Sequence, residues 1–212
     1  STKLATYIFT NKGAMIKSIL LTQHKTSAEE PIDLVDRKDN AILPLALESN
    51  NSQVTNILQN AYYQPSKLSM ELSEAQPTGK LKMQLKHSSG LEVIREFNFR
   101  YDDFMVDVET QIKAPTFASQ NLSYNVLYGP GMGGKVTSQT DYIVFSGATT
   151  FANNERLETP AEDIVNEVIH RGDIAWTSFQ NKYFGTALIP KEGIKSAVVK
   201  KHDENVYVGL KM

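Results

Sequence analysis

Hydrophobic alternation with a period of two is what most limits how this chain can fold. In LKMQL, Leu81, Met83 and Leu85 share one face. After the turn HSSG at 87–90, LEVIREFNF places Leu91, Val93, Phe97 and Phe99 on one face. Successive strand residues point to opposite sides, so this pattern specifies a hairpin with one buried face. The turn RYDD at 100–103 leads into FMVDVETQI, where Phe104, Val106, Val108 and Ile112 alternate with Met105, Asp107, Glu109 and Gln111. LSYNVLY repeats the pattern with Leu122, Tyr124, Val126 and Tyr128, and further strands are expected at YIVF (142–145), DIAWTSF (173–179), YFGTALI (183–189) and NVYVGL (205–210). Strand-length segments at short turn spacing predict an all-β, mainly antiparallel fold of sheets packed face to face, with at most one or two short helices.

Two segments carry mixed signals. SQVTNILQNAYY (52–63) starts on a serine suited to a helix cap, but Val54, Thr55, Ile57 and two tyrosines favour a strand, which is the reading adopted. TPAEDIVNEVIHRG (159–172) has helix grammar in Thr159 as cap, Pro160 at the first position, Glu162 three residues after Thr159 and Gly172 as stop. Its β-branched Ile164, Val165, Val168 and Ile169 argue for strand, and these residues leave both readings open.

With 212 residues, 41% apolar content and no repeat or long linker, the chain is expected to form a single domain over 1–212. Lysine and arginine number 22 against 24 acidic residues, so 22 − 24 = −2, with neither sign in blocks. No basic face for nucleic acid or an anionic membrane is visible. The absence of cysteine excludes thiolate metal sites, iron–sulfur clusters, disulfides and thiol nucleophiles. The longest apolar stretch, AILPLAL (41–47), is too short to span a bilayer. The opening STKLATYIFTNKG reads as a strand rather than a signal peptide, so the chain is expected to be cytoplasmic or cut from a longer protein.

The sharpest chemical motif is GPGMGGKV (129–136). Gly129, Gly134 and Lys135 match a phosphate-binding loop, but Val136 stands where a hydroxyl should hold magnesium. Such a loop needs a helix behind it, and KVTSQTDYIVFSG reads as loop and strand. The expectation is an irregular glycine-rich connection in which some of Gly129, Gly131, Gly133 and Gly134 adopt positive φ. His24, His87, His170 and His202 stand apart from one another, so no metal site is expected. The pairs Asp102–Asp103 and Glu29–Glu30 fall in turns and read as surface charge, although a glycosidase can draw its two carboxylates from distant strands. NNS (50–52) and NLS (121–123) match glycosylation acceptors, and Trp176 with Tyr183 and Phe184 reads as core or its rim before it reads as a sugar platform. Emptying a large aromatic site at Trp176 is expected to cost roughly 3–5 kcal/mol.

Two segments carry a family resemblance. FTNKGAMIKSILL (9–21) is a strand, a turn at Asn11-Lys12-Gly13 and a strand with Ile16, Ile19, Leu20 and Leu21. GDIAWTSFQNKYFGTALIP (172–190) runs from Trp176 through Phe179-Gln180-Asn181-Lys182 into Tyr183-Phe184 and ends at Ile189-Pro190. In this order and separation they resemble the large periplasmic domain of the YidC membrane protein insertases of Gram-negative bacteria. The resemblance covers nearly the whole chain and is most specific over 172–190.

It implies a β-supersandwich of two twisted sheets similar to galactose mutarotases, and strand with loop over 159–171. It also implies an excised domain at the periplasmic face of the inner membrane, joined to the bilayer by helices this chain lacks. The family expectation is partner docking with Sec translocon accessory subunits and nascent membrane proteins, with no catalysis, cofactor, metal or nucleic acid, and a monomeric isolated domain. No residue is assigned as catalytic, cofactor-binding, metal-binding or partner-binding. The rival expectation is a noncatalytic carbohydrate- or peptide-binding β-sandwich, since a mutarotase needs a facing histidine acid and glutamate base that no motif here supplies.

Overall fold

The computed structural model describes residues 1–36, 41–133, 145–202 and 205–212. Strands hold 53% of the residues against 8% in helices, mostly in antiparallel pairings, so the chain is all-β. It forms two compact units, one of residues 1–32 and 49–122, the other of 33–48 and 123–212.

In the first unit β1 (Ala5–Thr10) pairs antiparallel with β2 (Met15–Lys25), and β3 (Pro31–Asp33) follows in a three-stranded sheet of order β1-β2-β3. The helix α1 (Ser52–Asn60) comes after β4 (Ala46–Ser49). Then β5 (Gln64–Pro65), β6 (Thr78–Lys86), β7 (Glu92–Arg100) and β8 (Asp107–Lys113) form an antiparallel meander. The inward face of β7 holds Val93, Phe97 and Phe99, all buried, as the alternation predicts. Phe9 of β1 meets Phe97 at 4.7 Å and Phe99 at 6.1 Å between ring centroids, and Tyr7 meets Phe99 at 5.3 Å. These tilted and edge-on contacts join the two sheets into a small sandwich.

The second unit is one sheet of eight strands. Its order is β11 (Glu155–Pro160), β10 (Gly147–Ala152), β12 (Glu167–Gln180), β14 (Ile194–His202), β15 (Asn205–Lys211), β9 (Tyr124–Tyr128) and β4, with β13 (Gly185–Leu188) also on β12. Tyr128, Val208 and Val199 lie opposite one another across three strands and join Phe179, Met132 and Ile164 in a buried cluster. A second cluster gathers Ala152, Ile174, Ala197 and Leu210. Every residue from Asn205 to Leu210 is buried, so β15 is covered on both faces.

Three expectations need correction. Residues 52–60 are helical: the Asn51 side chain accepts from the Val54 amide at 3.0 Å, and Val54, Ile57 and Leu58 are buried at helical spacing. Capping and that stripe outweigh the β-branched residues. The strand expected from Phe104 begins at Asp107 instead, leaving Phe104 and Met105 exposed. Asp103 holds the chain out of the ladder by accepting from the Met105 amide at 2.9 Å and from Arg100 at 2.8 Å. Leu127 is fully buried although the alternation of LSYNVLY turned its face to water. Over 159–171 the chain runs through the end of β11, a single 3-10 turn at Ala161–Asp163 and the start of β12, so strand and loop prevail over the helix grammar. Of YIVF, only Phe145 is among the described residues.

Candidate functional site: an edge groove and a buried arginine

The turn between β1 and β2 needs left-handed backbone, with Gly13 at φ 69° and Ala14 at φ 50°. A side chain at residue 13 would crowd the Gln59 carbonyl at 2.8 Å, so glycine is required there twice over. The turn is tied down by Gly13 N–H donating to Ala61 at 3.0 Å and Tyr63 N–H donating to Asn11 at 2.8 Å. The carbonyls of Gly13 and Ala14 point inward, where water cannot reach them, and a donor must come from the core. Arg95 of β7 supplies it, donating through Nη1 to Ala14 at 2.9 Å and Gly13 at 3.5 Å.

Arg95 is fully buried, with its guanidinium carbon 5.2 Å from the Phe97 ring centroid. Among the described residues its Nε and Nη2 find no hydrogen-bond partner, nor does Oγ1 of Thr110, which lies opposite it on β8. Burial pushes its pKa down to about 10, against a smaller opposing pull from Tyr63, so it stays protonated at neutral pH. Burial likewise pushes Tyr63 up to about 12. A charge held this way fixes a turn; it is closed to substrate.

The first unit also holds an open groove of about 590 Å³. It is lined by β1 from Thr6 to Thr10, by Leu81 and Met83 of β6, by Phe99, and by the segment Pro65–Met70. Ile8 is 40% exposed and Leu68 97%. The charged side chains lining it are Lys17 and Lys67. Tyr7 donates its hydroxyl hydrogen to the Phe104 carbonyl at 3.2 Å, and burial, reinforced by the Asp103 charge, pushes its pKa up to about 12. β1 occupies the end of its sheet and has β2 on one side only. An apolar trough beside a free strand edge can take an extended chain; nothing lining it is arranged for acid–base chemistry.

The residues singled out in the sequence lie elsewhere. Gly131 adopts φ 69°, in line with expectation. Its amide donates to Val206 at 2.9 Å, and the Gly133 amide donates to Leu34 at 2.9 Å. These two amides are thus taken by carbonyls; Gly134, Lys135 and Val136, on which the phosphate-loop reading turns, lie outside the described residues. The loop is clasped by Asn181, whose Nδ2 donates to Gly133 at 3.2 Å while Oδ1 accepts from the Tyr183 and Phe184 amides at 3.0 and 2.9 Å. Asn181 therefore organises the segment where the family resemblance is most specific, a role its sequence position alone did not reveal.

Trp176 is half-buried and stacks on Phe151 at 5.9 Å, outside both core clusters. Phe184 packs at the edge of one cluster, and Tyr183 is 48% exposed beneath the Lys182 ammonium. His87 closes its turn on Ser89 at 2.8 Å, and His170 meets Thr159 at 3.3 Å with its pKa lowered by burial. Asp102 pairs with Lys3 and Glu29 with Lys25, as surface turn charges. Asn50, in the first acceptor triplet, donates to the carbonyl of Asn121 in the second at 2.9 Å. Among the described residues, no three histidine or acidic side chains converge as metal ligands, and no helix is long and apolar enough to cross a membrane.

The family model of the YidC periplasmic domain matches residues 1–211. Similar proteins include one from Treponema denticola, 24% identical over 95% of this chain and 37% of its own length. Another from Chlorobaculum tepidum is 22% identical over 100% of this chain and 37% of its own, and one from Geobacter sp. strain M21 is 25% identical over 93% and 36%. Each is named membrane protein insertase YidC. The chain thus spans little more than a third of the length of these relatives. A match running through both compact units, from the first residue to the penultimate one, places the chain in the YidC periplasmic domain family.

Proposed function

We propose that this chain is the periplasmic portion of a membrane protein insertase of the bacterial inner membrane and that it works by holding polypeptide partners, without catalysis. The observation that carries the reading is the family match over 1–211, together with the insertase name shared by the relatives. The partners on this reading are Sec translocon accessory subunits and nascent membrane proteins, with no cofactor or nucleic acid involved. Both units then act as one domain, monomeric on its own and carried by membrane helices elsewhere in the longer protein.

Site-specific photocrosslinking over the domain surface of the full-length protein, in cells synthesising an inner-membrane substrate, tests the reading. Adducts with nascent chain or translocon subunits are expected. Adducts with neither, under conditions where the transmembrane part still crosslinks substrate, would remove it. A carbohydrate-binding role is favoured by no observation as specific as the family match.

A further inference from the structure

We propose that the groove beside β1 captures an extended polypeptide segment by strand addition, preferring apolar side chains at alternate positions and a carboxylate at one end. The inference rests on the polypeptide-holding role above and names the chemistry of the segment held.

Three observations carry it. First, among the described residues β1 has one strand neighbour, so the backbone of Thr6–Thr10, which lines the groove, has an unpaired edge. An exposed edge is a template for another strand, and proteins usually block it with lysine or proline. The sequence of β1, ATYIFT, contains neither; its single irregularity is the bulge between Ile8 and Phe9. The edge closes beyond Thr10, where Lys12 bridges to Tyr62, so the window is five residues, about 17 Å of strand.

Second, a strand added there turns alternate side chains inward. Leu81, Met83 and Phe99 meet them, with Leu68 and Ile8 exposed at the sides. Methionine adapts to differing apolar shapes, and the volume of about 590 Å³ lies in the range of ligand-holding clefts. Third, the charged side chains lining the groove are Lys17 and Lys67, without an acidic residue beside them. Both are exposed, and so complement a carboxylate on the segment and repel a basic one.

The test uses the full-length protein in detergent and a fluorescein-labelled heptapeptide of alternating leucine and threonine ending in aspartate. Anisotropy should report saturable binding. Methylating alternate amides of the peptide, which removes its edge donors, should weaken binding at least tenfold. The double variant Lys17→Glu/Lys67→Glu, on exposed positions, should reverse the preference between the aspartate peptide and a lysine-ended counterpart. Equal binding of the methylated peptide, indifference to the charge reversal, or a neutral oligosaccharide bound in place of peptide would each overturn the proposal. A photocrosslinker at Ile8 separates its failure from that of the broader reading. Adducts from other surfaces of the domain but none from Ile8 would overturn the groove alone; adducts from nowhere would remove both.

Discussion

The two compact units solve the same problem differently. The first faces two sheets across a narrow core and completes it with a charged side chain, Arg95, that no carboxylate among the described residues neutralises. The second uses one wide sheet whose inner strand β15 is covered on both sides, and it fits loops against that sheet by omitting side chains at glycine. The contrast teaches that a buried charge and a missing Cβ answer one demand: inward-turned backbone must be either supplied with a donor or approached closely.

The largest expected effect tests the first half of the contrast. Arg95→Ala leaves the Gly13 and Ala14 carbonyls without a donor and opens a cavity, and should cost about 3–5 kcal/mol in urea denaturation. Arg95→Met keeps most of the volume and removes the desolvated charge but still leaves both carbonyls without a donor, so it should cost less than Arg95→Ala, about 1–3 kcal/mol. Equal losses for the two would show that hydrogen bonding to the turn, not packing, dominates.

Next in size is the second unit's glycine clearance. A Cβ at Gly133 would strike the Asp33 carbonyl, which is backbone and cannot swing aside. Gly133→Ala should therefore lower stability by about 1–3 kcal/mol, in the range of overpacked cores. An unchanged midpoint would mean that the loop shifts freely, and the comparison would lose its second arm.

Trp176→Ala should cost about 1–2 kcal/mol, less than the 3–5 kcal/mol its size alone suggests, because the ring is half-buried against Phe151. A loss above about 3 kcal/mol would return Trp176 to the core.

The smallest effect is electrostatic and belongs to the first unit. Tyr7 and Tyr63 titrate near 12 in the folded chain against an ordinary value of 10.0. The native state keeps protons that the unfolded chain releases, so their contribution is intact below pH 10 and is lost as pH rises toward 12. Each tyrosine gives a slope of up to about 1.4 kcal/mol per pH unit. Arg95, with its pKa pushed down to about 10, works in the opposite sense over the same window and offsets part of the loss. Denaturation midpoints should fall between pH 10 and 12, and Tyr7→Phe should flatten that fall; a steeper fall would contradict the assignment.

Much of the fold was legible because alternation survives wherever one sheet face is wet. β6, β7, β12, β13 and β15 fall where the pattern puts them. The misread helix had its signals in plain sight, in the cap Asn51 and the spacing of Val54, Ile57 and Leu58, but local strand propensity masked them. Arg95 was readable in principle: between Val93 and Phe97 on a period-two strand it must point inward. Charge argued against burial, and its partners, the Gly13 and Ala14 carbonyls, lie some eighty positions away. The groove was beyond reach for a related reason, since it exists only once residues 6–10 and 65–70 lie side by side. The glycine loop shows the reverse case, where a chemical motif was discounted from its neighbours alone, and Gly131 and Gly133 give their amides to carbonyls.

The place of β15 has a consequence for the order of events during synthesis. It follows β14 in the chain, yet it inserts between β14 and β9, which lie some seventy residues apart in sequence. Until Asn205–Lys211 has emerged, both neighbours present open hydrogen-bonding edges, and long-range pairing of this kind is slow. A chain made from its amino end can finish the first unit while the wide sheet waits for β15, so interruptions of synthesis near residue 200 should leave a species prone to aggregate or be degraded.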